Sequence, residues 1–203
     1  MSIYALKPAF QGLLRPLVKR LATRGITANQ VTLLACGVSL LLGVLVCVAV
    51  AMDQLLFLWA LPLWFFVRMA FNAIDGMLAR EHGQQSALGG YLNELTDVVS
   101  DSALYLPLAL VPGVTPWLVG LVMVLAVISE LAGVLGQVHG NERRYDGPMG
   151  KSDRAFAISL AGVLILLVPQ WPWLPDLLLG LVNLLLLLTV WRRVGNGLRA
   201  GEC

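Results

Sequence analysis

Six runs of about 20 apolar residues, each cut from the next by polar or proline-bearing segments, constrain this chain more than anything else in it. They lie near 29–51, 55–79, 88–111, 116–138, 154–169 and 173–191, the fifth being the shortest. Met52-Asp53 parts the first two, Pro112 to Pro116 the third and fourth, and Pro169 to Pro175 the last two. In hydrocarbon a segment can satisfy its backbone N–H and C=O groups internally only as a helix, so each run predicts a spanning helix. Only 13% of the residues are charged, against about 25% in a soluble domain, and the mean hydropathy is +0.80. A soluble globular domain is excluded. The expected fold is an all-α integral membrane domain over 1–203, with a six-helix core at 29–191.

Charge sets the orientation. Lys7, Arg15, Lys19, Arg20 and Arg24 precede the first run, and Arg80 lies between the second and third. Arg143, Arg144, Lys151 and Arg154 lie between the fourth and fifth, and Arg192, Arg193 and Arg199 follow the sixth. The opposite connections carry Asp53 and Asp176 but no Lys or Arg. The positive-inside rule then puts both termini, and the segments 80–90 and 140–154, in the cytoplasm. Trp171 and Trp173 fit an aromatic belt at the far interface.

Residues 3–23 follow a different pattern. Ile3, Leu6, Phe10, Leu13, Leu14, Leu17 and Leu21 recur at three- to four-residue steps, with Lys7, Arg15 and Lys19 between them. This predicts an amphipathic helix lying on the cytoplasmic leaflet, in contact with membrane lipid. It has neither the compact apolar centre nor the small-residue cleavage site of a signal peptide. The net charge of +2 reflects topology, and nucleic acid is not an expected partner. Cys36 and Cys47 stand about 16 Å apart on one helix, too far for a disulfide. Cys203 ends the chain in Gly-Glu-Cys, which matches no prenylation signal. No internal repeat is visible, which disfavours a transporter of repeated halves.

Ionisable groups within membrane helices are costly and mark function. Asn72, Asp75 and Ala79 share a face of the second helix, and Asn93, Asp97 and Asp101 step by four along the third. Facing one another, the two helices bring several oxygen-bearing side chains to one depth. Oxygen ligands suit a hard divalent cation such as Mg²⁺ or Mn²⁺, and without a Cys/His set zinc is not expected. Gly76, Ala79 and Gly89 are small enough to admit a close backbone or a bulky diphosphate.

These residues also resemble a family signature. CDP-alcohol phosphatidyltransferases carry D-x2-D-G-x2-A-R-x(7–8)-G-x3-D-x3-D. Asp75, Gly76, Ala79, Arg80, Gly89 and Asp97 stand on matching positions, with Asn72 and Asn93 where the first and third aspartates fall. The resemblance implies transfer of a phosphatidyl group from CDP-diacylglycerol or a similar CDP-linked donor to an alcohol, with release of CMP. It implies divalent metal held at Asn72, Asp75, Asn93 and Asp97, with Asp97 as general base. It implies donor contacts from Gly76, Ala79, Arg80 and Gly89, and also from Asn29 and Thr32, because Thr27-Ala-Asn29-Gln-Val-Thr32 is similar to the family's P-N-x-x-T segment. Bacterial phosphatidylglycerophosphate synthase-like members are the nearest pattern, implying an inner (cytoplasmic) membrane, a cytosolic active face and a homodimer.

The departures at Asn72 and Asn93 keep a second reading open, a non-catalytic relative that binds a nucleotide lipid or a partner protein. Asp101, one turn beyond Asp97, is a possible compensating carboxylate. Arg143, Arg144, Lys151 and Arg154 are expected to bind an anionic acceptor, which tilts the acceptor toward a phosphorylated alcohol. The same charges equally serve topology and attraction to anionic lipid. Arg68 and Glu130 are the deep charges and are expected to pair. Thr27 is an expected N-cap, and His82 and His139 are expected to be solvated.

Overall fold

The structure is a computed structural model and describes residues 6–139 and 142–201. The expectations attached to Ile3, Gly140 and Cys203 fall outside these residues. Among the described residues all regular structure is helical. Helix α1 is Leu6–Thr23 and α2 is Ala28–Ala51. A 3₁₀ turn, Leu55–Trp59, runs into α3, Ala60–Glu81. Helix α4, Ala87–Tyr105, continues into a second 3₁₀ turn, Leu106–Leu110. Then come α5 (Pro116–Val138), α6 (Lys151–Leu167) and α7 (Leu174–Gly201).

Every apolar run of the sequence is a helix, but they are not equal. Four segments are long and apolar enough to cross a membrane: 28–51, 55–81, 116–138 and 174–199. Helix α6 is 17 residues long and opens on Lys151, Asp153 and Arg154. Helix α4 carries Glu94, Asp97 and Asp101 among its apolar residues. These two are completed by the bundle around them, because their charges need partners on other helices.

The local sequence explains the ends. Thr27 caps α2: its side chain accepts from the Gln30 backbone, and the Gln30 side chain accepts from the Thr27 backbone at 2.9 Å. Gly83 takes φ +65 just past α3, where an L side chain would be strained. Ser86 caps α4 through the Gly89 N–H at 3.0 Å. At the opposite end, Asp176 of α7 accepts from the Thr115 N–H at 2.9 Å and ties the starts of α5 and α7 together. Trp59, Trp117, Trp171 and Trp173 are all exposed at that end, so the aromatic belt is broader than two residues.

Helix α1 is two-faced. Val18 is buried, and Leu14 and Leu21 pack with it on Ile74, Met77 and Leu78 of α3. Leu13 and Leu17 are 77% and 45% exposed, which leaves apolar surface for lipid. Arg15 pairs with Glu81 at 3.0 Å and holds α1 along the end of α3.

Helix α2 is the spine of the site. It packs against both α3 and α4, whose backbones stay apart from each other while Arg68 of α3 reaches across to Asp97 and Asp101 of α4. The two polar faces that the sequence pattern sets toward one another border a single cavity, with α2 packed closely against both helices. Gly43 makes that possible, because a Cβ there would fall 2.4 Å from the carbonyl oxygen of Ala103. Gly37, on the same helix, has open space around it. Gly43→Ala is therefore expected to lower the thermal unfolding midpoint in detergent by several degrees, and Gly37→Ala to leave it unchanged. Fluorescence-detected size-exclusion after heating measures both, and equal midpoints would refute the close α2–α4 contact.

Candidate active site

One cavity of about 1350 Å³ opens between α1, α2, α3, α4 and the segment leading into α6. Asn29, Thr32, Asn72, Asp75, Gly76, Ala79, Arg80, Gly89, Asn93, Asp97 and Lys151 all line it. Its wall also includes Phe10, Leu13, Phe66 and Met69. Leu13, Phe66 and Met69 are 77%, 66% and 45% exposed, so this wall faces the surroundings of the bundle. The cavity is thus amphiphilic, polar along the helix ends and apolar toward the membrane.

The helix faces supply the polar side. Asp75 is buried on α3 and accepts from the Thr32 hydroxyl of α2 at 2.8 Å. Thr32 lies one turn into α2, and its hydroxyl also sits 3.1 Å from the Ala28 carbonyl oxygen. Gly76 lets Arg80 fold back along α3, since a Cβ there would meet the guanidinium nitrogen at 3.0 Å. Arg80 is exposed and lines the cavity. Gly89 brings α4 against α2, a Cβ at that position falling 3.0 Å from Asn29 Oδ1. Gln84, which sequence reasoning did not single out, accepts from the Ala28 N–H at 2.7 Å and joins the α3–α4 turn to the start of α2. Its only sequence signal was a polar residue in a short turn.

Asp97 is held from two sides. Arg68 reaches its Oδ1 at 3.1 Å and its carbonyl oxygen at 3.2 Å. Lys151 pairs with Oδ2. Asp101, one turn along, is buried and bound by Arg68, by Arg154 at 3.2 Å and by the Tyr105 hydroxyl at 3.2 Å. The expected Arg68–Glu130 pair is therefore replaced by other partners. Arg68 serves α4, while Glu130 binds Arg143 at 3.0 Å, Arg154 at 2.9 Å and Arg193 at 3.7 Å. Each deep charge pairs with whichever helix lies alongside it, and Arg154 joins the two groups by binding both Asp101 and Glu130. His82 and His139 are exposed.

The four basic residues of the α5–α6 connection part company. Lys151 lines the cavity. Arg143 pairs with Glu94 as well as Glu130, and its guanidinium lies 5.1 Å from the Tyr145 ring centroid. Arg154 is buried. Arg144 turns away, to Asp146 at 2.8 Å, and its side chain fills a notch at Gly136, where a Cβ would fall 2.6 Å from it. The connection is fastened to α7: Asp146 accepts from Asn196 at 2.9 Å, and the Met149 N–H donates to Thr189 at 3.0 Å. Burial works against the Asp146 charge, but hydrogen bonds from Asn196 and Arg144 hold its carboxyl below the usual carboxylate range.

Among the described residues no three Asp, Glu, His or Cys side chains gather as a metal cluster. Two carboxylates and two amides, Asp75, Asp97, Asn72 and Asn93, share the cavity. An oxygen-only set of this kind fits a hard divalent cation. Asp101 is already bound by two guanidinium groups and a phenol.

Removing one partner from a buried ion pair strands the other. Arg68→Ala leaves Asp97 and Asp101 short of charge, and is expected to cost about 3–5 kcal/mol of stability. Arg68→Met combined with Asp101→Asn should lose less than Arg68→Met alone. Unfolding in mixed micelles gives the comparison, and additive losses would refute the coupling.

Comparison with known proteins bears on this geometry. The model of the family described as CDP-alcohol phosphatidyltransferase matches residues 25–191. The inner membrane protein YnbA of Escherichia coli (strain K12) is 45% identical over 193 residues, covering 95% of this chain and 94% of its own. The phosphatidylinositol phosphate synthase of Mycobacterium tuberculosis (strain H37Rv) is 27% identical, covering 86% and 80%. The crystal structure of a Mycobacterium tuberculosis phosphatidylinositol phosphate synthase with CDP-DAG bound superposes with a TM-score of 0.74 at 20% identity, over 90% of this chain and 92% of that one. The same synthase with manganese and citrate gives 0.73, over 90% and 87%.

Proposed function

This chain belongs to the CDP-alcohol phosphatidyltransferase family and is an enzyme of the membrane, and from that premise we propose that it moves a phosphatidyl group from CDP-diacylglycerol to an alcohol. The observation that carries the reading is the amphiphilic cavity. A CDP-linked lipid has a nucleotide diphosphate at one end and acyl chains at the other. The polar ends of α2, α3 and α4 suit the first, and the wall of Leu13, Phe66 and Met69 suits the second.

The residues divide the work. Asn29, Thr32, Gly76, Ala79 and Gly89 leave room for the nucleotide end, and Arg80 supplies charge to the diphosphate. Asp75 and Asp97, with the amide oxygens of Asn72 and Asn93, would hold a divalent cation, Mg²⁺ or Mn²⁺, which neutralises the diphosphate when bound. The acceptor hydroxyl gives its proton to Asp97 as its oxygen bonds to the lipid-bearing phosphorus. The bond from that phosphorus to the CMP oxygen breaks, and CMP leaves. Arg68 fixes Asp97 in place during the step. Thr32 does the same for Asp75.

The wider reading is a six-span protein with both termini and the cavity on the cytoplasmic side of an inner membrane, working as a homodimer. The one-sided Lys and Arg distribution supports the orientation. The combined helical length of α4 and its 3₁₀ turn supports a span there despite its charges. Single cysteines at Gln85 and Glu142, in a background without Cys36, Cys47 and Cys203, are expected to resist impermeant thiol reagents in intact cells. Labelling before permeabilisation would reverse the topology.

Proteoliposomes supplied with CDP-diacylglycerol, an acceptor panel and Mg²⁺ test the reaction by CMP release. Asp97→Ala is expected to lower the rate by about 10²–10⁴-fold, the usual worth of a general base. Asp75→Ala should also abolish turnover, and Asn93→Ala should mainly raise the Mg²⁺ requirement. A wild type inactive with every acceptor, beside an active Asn72→Asp/Asn93→Asp variant, would make the chain a binding relative and overturn the reading.

A further inference from the structure

Three guanidinium groups converge on one carboxylate beside the candidate base. Arg143 and Arg193 approach Glu130 Oε2 at 3.0 and 3.7 Å, and Arg154 approaches Oε1 at 2.9 Å, an ion pair without hydrogen-bond alignment. The three come from the α5–α6 connection, α7 and α6, and Glu130 from α5. Glu130 and Arg154 line a small recess together with Asp97, Asp101 and Lys151. Convergent guanidinium groups of this kind make an anion site. Here its occupant is a side chain of the same chain.

The occupant cannot leave cheaply. The side chains of Arg154 and Arg193 are 2% and 3% exposed, and that of Glu130 is 14% exposed. An anion entering from the cavity must either displace Glu130, which strands a nearly buried carboxylate, or sit against it as a like charge. Nor do the neighbouring cations offer a free position. Arg143 and Arg154 have second partners in Glu94 and Asp101, and Lys151 is paired with Asp97. Arg80 has no ion pair among the described residues, and it stands on the side of the cavity where the donor diphosphate is placed.

We propose that Glu130 fills the anion position made by Arg143, Arg154 and Arg193, and that the acceptor is therefore an alcohol carrying no phosphate. This rests on the transferase reading and reverses the expectation drawn from the basic 143–154 segment. Glu130 acts here as a specificity-determining residue: it neutralises the three arginines from within and leaves Asp97 facing a neutral hydroxyl.

Matched acceptors give the first test. Glycerol is compared with sn-glycerol 3-phosphate, and myo-inositol with its 1-phosphate, in proteoliposomes containing CDP-diacylglycerol. The free alcohol is expected to lead its phosphate by about tenfold or more in kcat/KM, as one uncompensated buried charge requires. Preference for the phosphorylated member of either pair overturns the proposal. Silence with every acceptor counts against the transferase reading, and a binding measurement then decides this inference by itself. Inorganic phosphate is titrated against wild type and Glu130→Gln in detergent, with thermal unfolding as the readout and chloride as the ionic-strength control. Glu130→Gln is expected to bind phosphate about tenfold more tightly than wild type, and equal affinity overturns the proposal. If Glu130→Gln does not fold, wild type alone decides: saturable binding in the millimolar range that Arg154→Gln removes is the contrary result, and its absence is the expected one.

Discussion

Charge placed in a low-dielectric bundle must be matched, and Asp101 is the point from which the matching spreads. It is buried on α4 and bound by Arg68 of α3, Arg154 of α6 and its own neighbour Tyr105. Arg68 continues to Asp97, and Arg154 continues to Glu130. Glu130 then draws in Arg143 and Arg193. One chain of ion pairs therefore runs from α3 through α4, α6 and α5 to α7. Helices α4 and α6, the two that fall short of a free-standing span, are tied to one another and to their neighbours by this chain. Buried pairs of this sort add little net stability against an apolar alternative, but they penalise any other arrangement severely. Their effect is to fix one geometry, and Asp97 is part of that geometry.

The cavity follows from the same constraint combined with small residues. Because α2 stands behind α3 and α4, their polar faces look across a space and do not fill it. Gly43 sets how near α4 comes to α2, and Gly89 sets it again at the polar end, beside Asn29. Gly76 permits Arg80 to lie flat along its own helix. The signature glycines thus act through absent atoms. On the far wall, α1 and α3 supply apolar side chains that remain exposed, so the space has an open apolar wall on one side and polar helix ends on the other.

Much of this was legible in the sequence, and the division is physical. Apolar runs had to be helices because hydrocarbon offers no other partner for the backbone. The Thr27 cap was visible because capping is local. The amphipathic stripe of α1 was visible too, though part of it docks on α3 and only the remainder is left for lipid. What stayed hidden was which charges meet. Periodicity assigns Arg68 and Glu130 to faces and depths, yet the choice of partner depends on which helix lies alongside. The fastening of Asp146 to α7 depends on Asn196, 50 positions away in sequence, and the seating of Arg144 in the Gly136 notch depends on how the chain turns back between them. No local pattern carries that information.

The asparagines at 72 and 93 are best understood within this balance. Asp75 and Asp97 are the two carboxylates at the signature positions. Asp97 is already compensated by Arg68 and Lys151, while Asp75 accepts from the Thr32 hydroxyl and has no ion pair among the described residues. Two further carboxylates would add negative charge to a cavity whose nearby cations, Arg80 apart, are already committed to Glu94, Asp97, Asp101, Glu130 and Asp146. Amides keep the oxygen donors and omit the charge. The surrounding ion pairs and the neutral side chains at 72 and 93 are then parts of one arrangement: the more completely the protein's own carboxylates occupy its cations, the fewer further carboxylates the cavity can hold without leaving a charge unpaired.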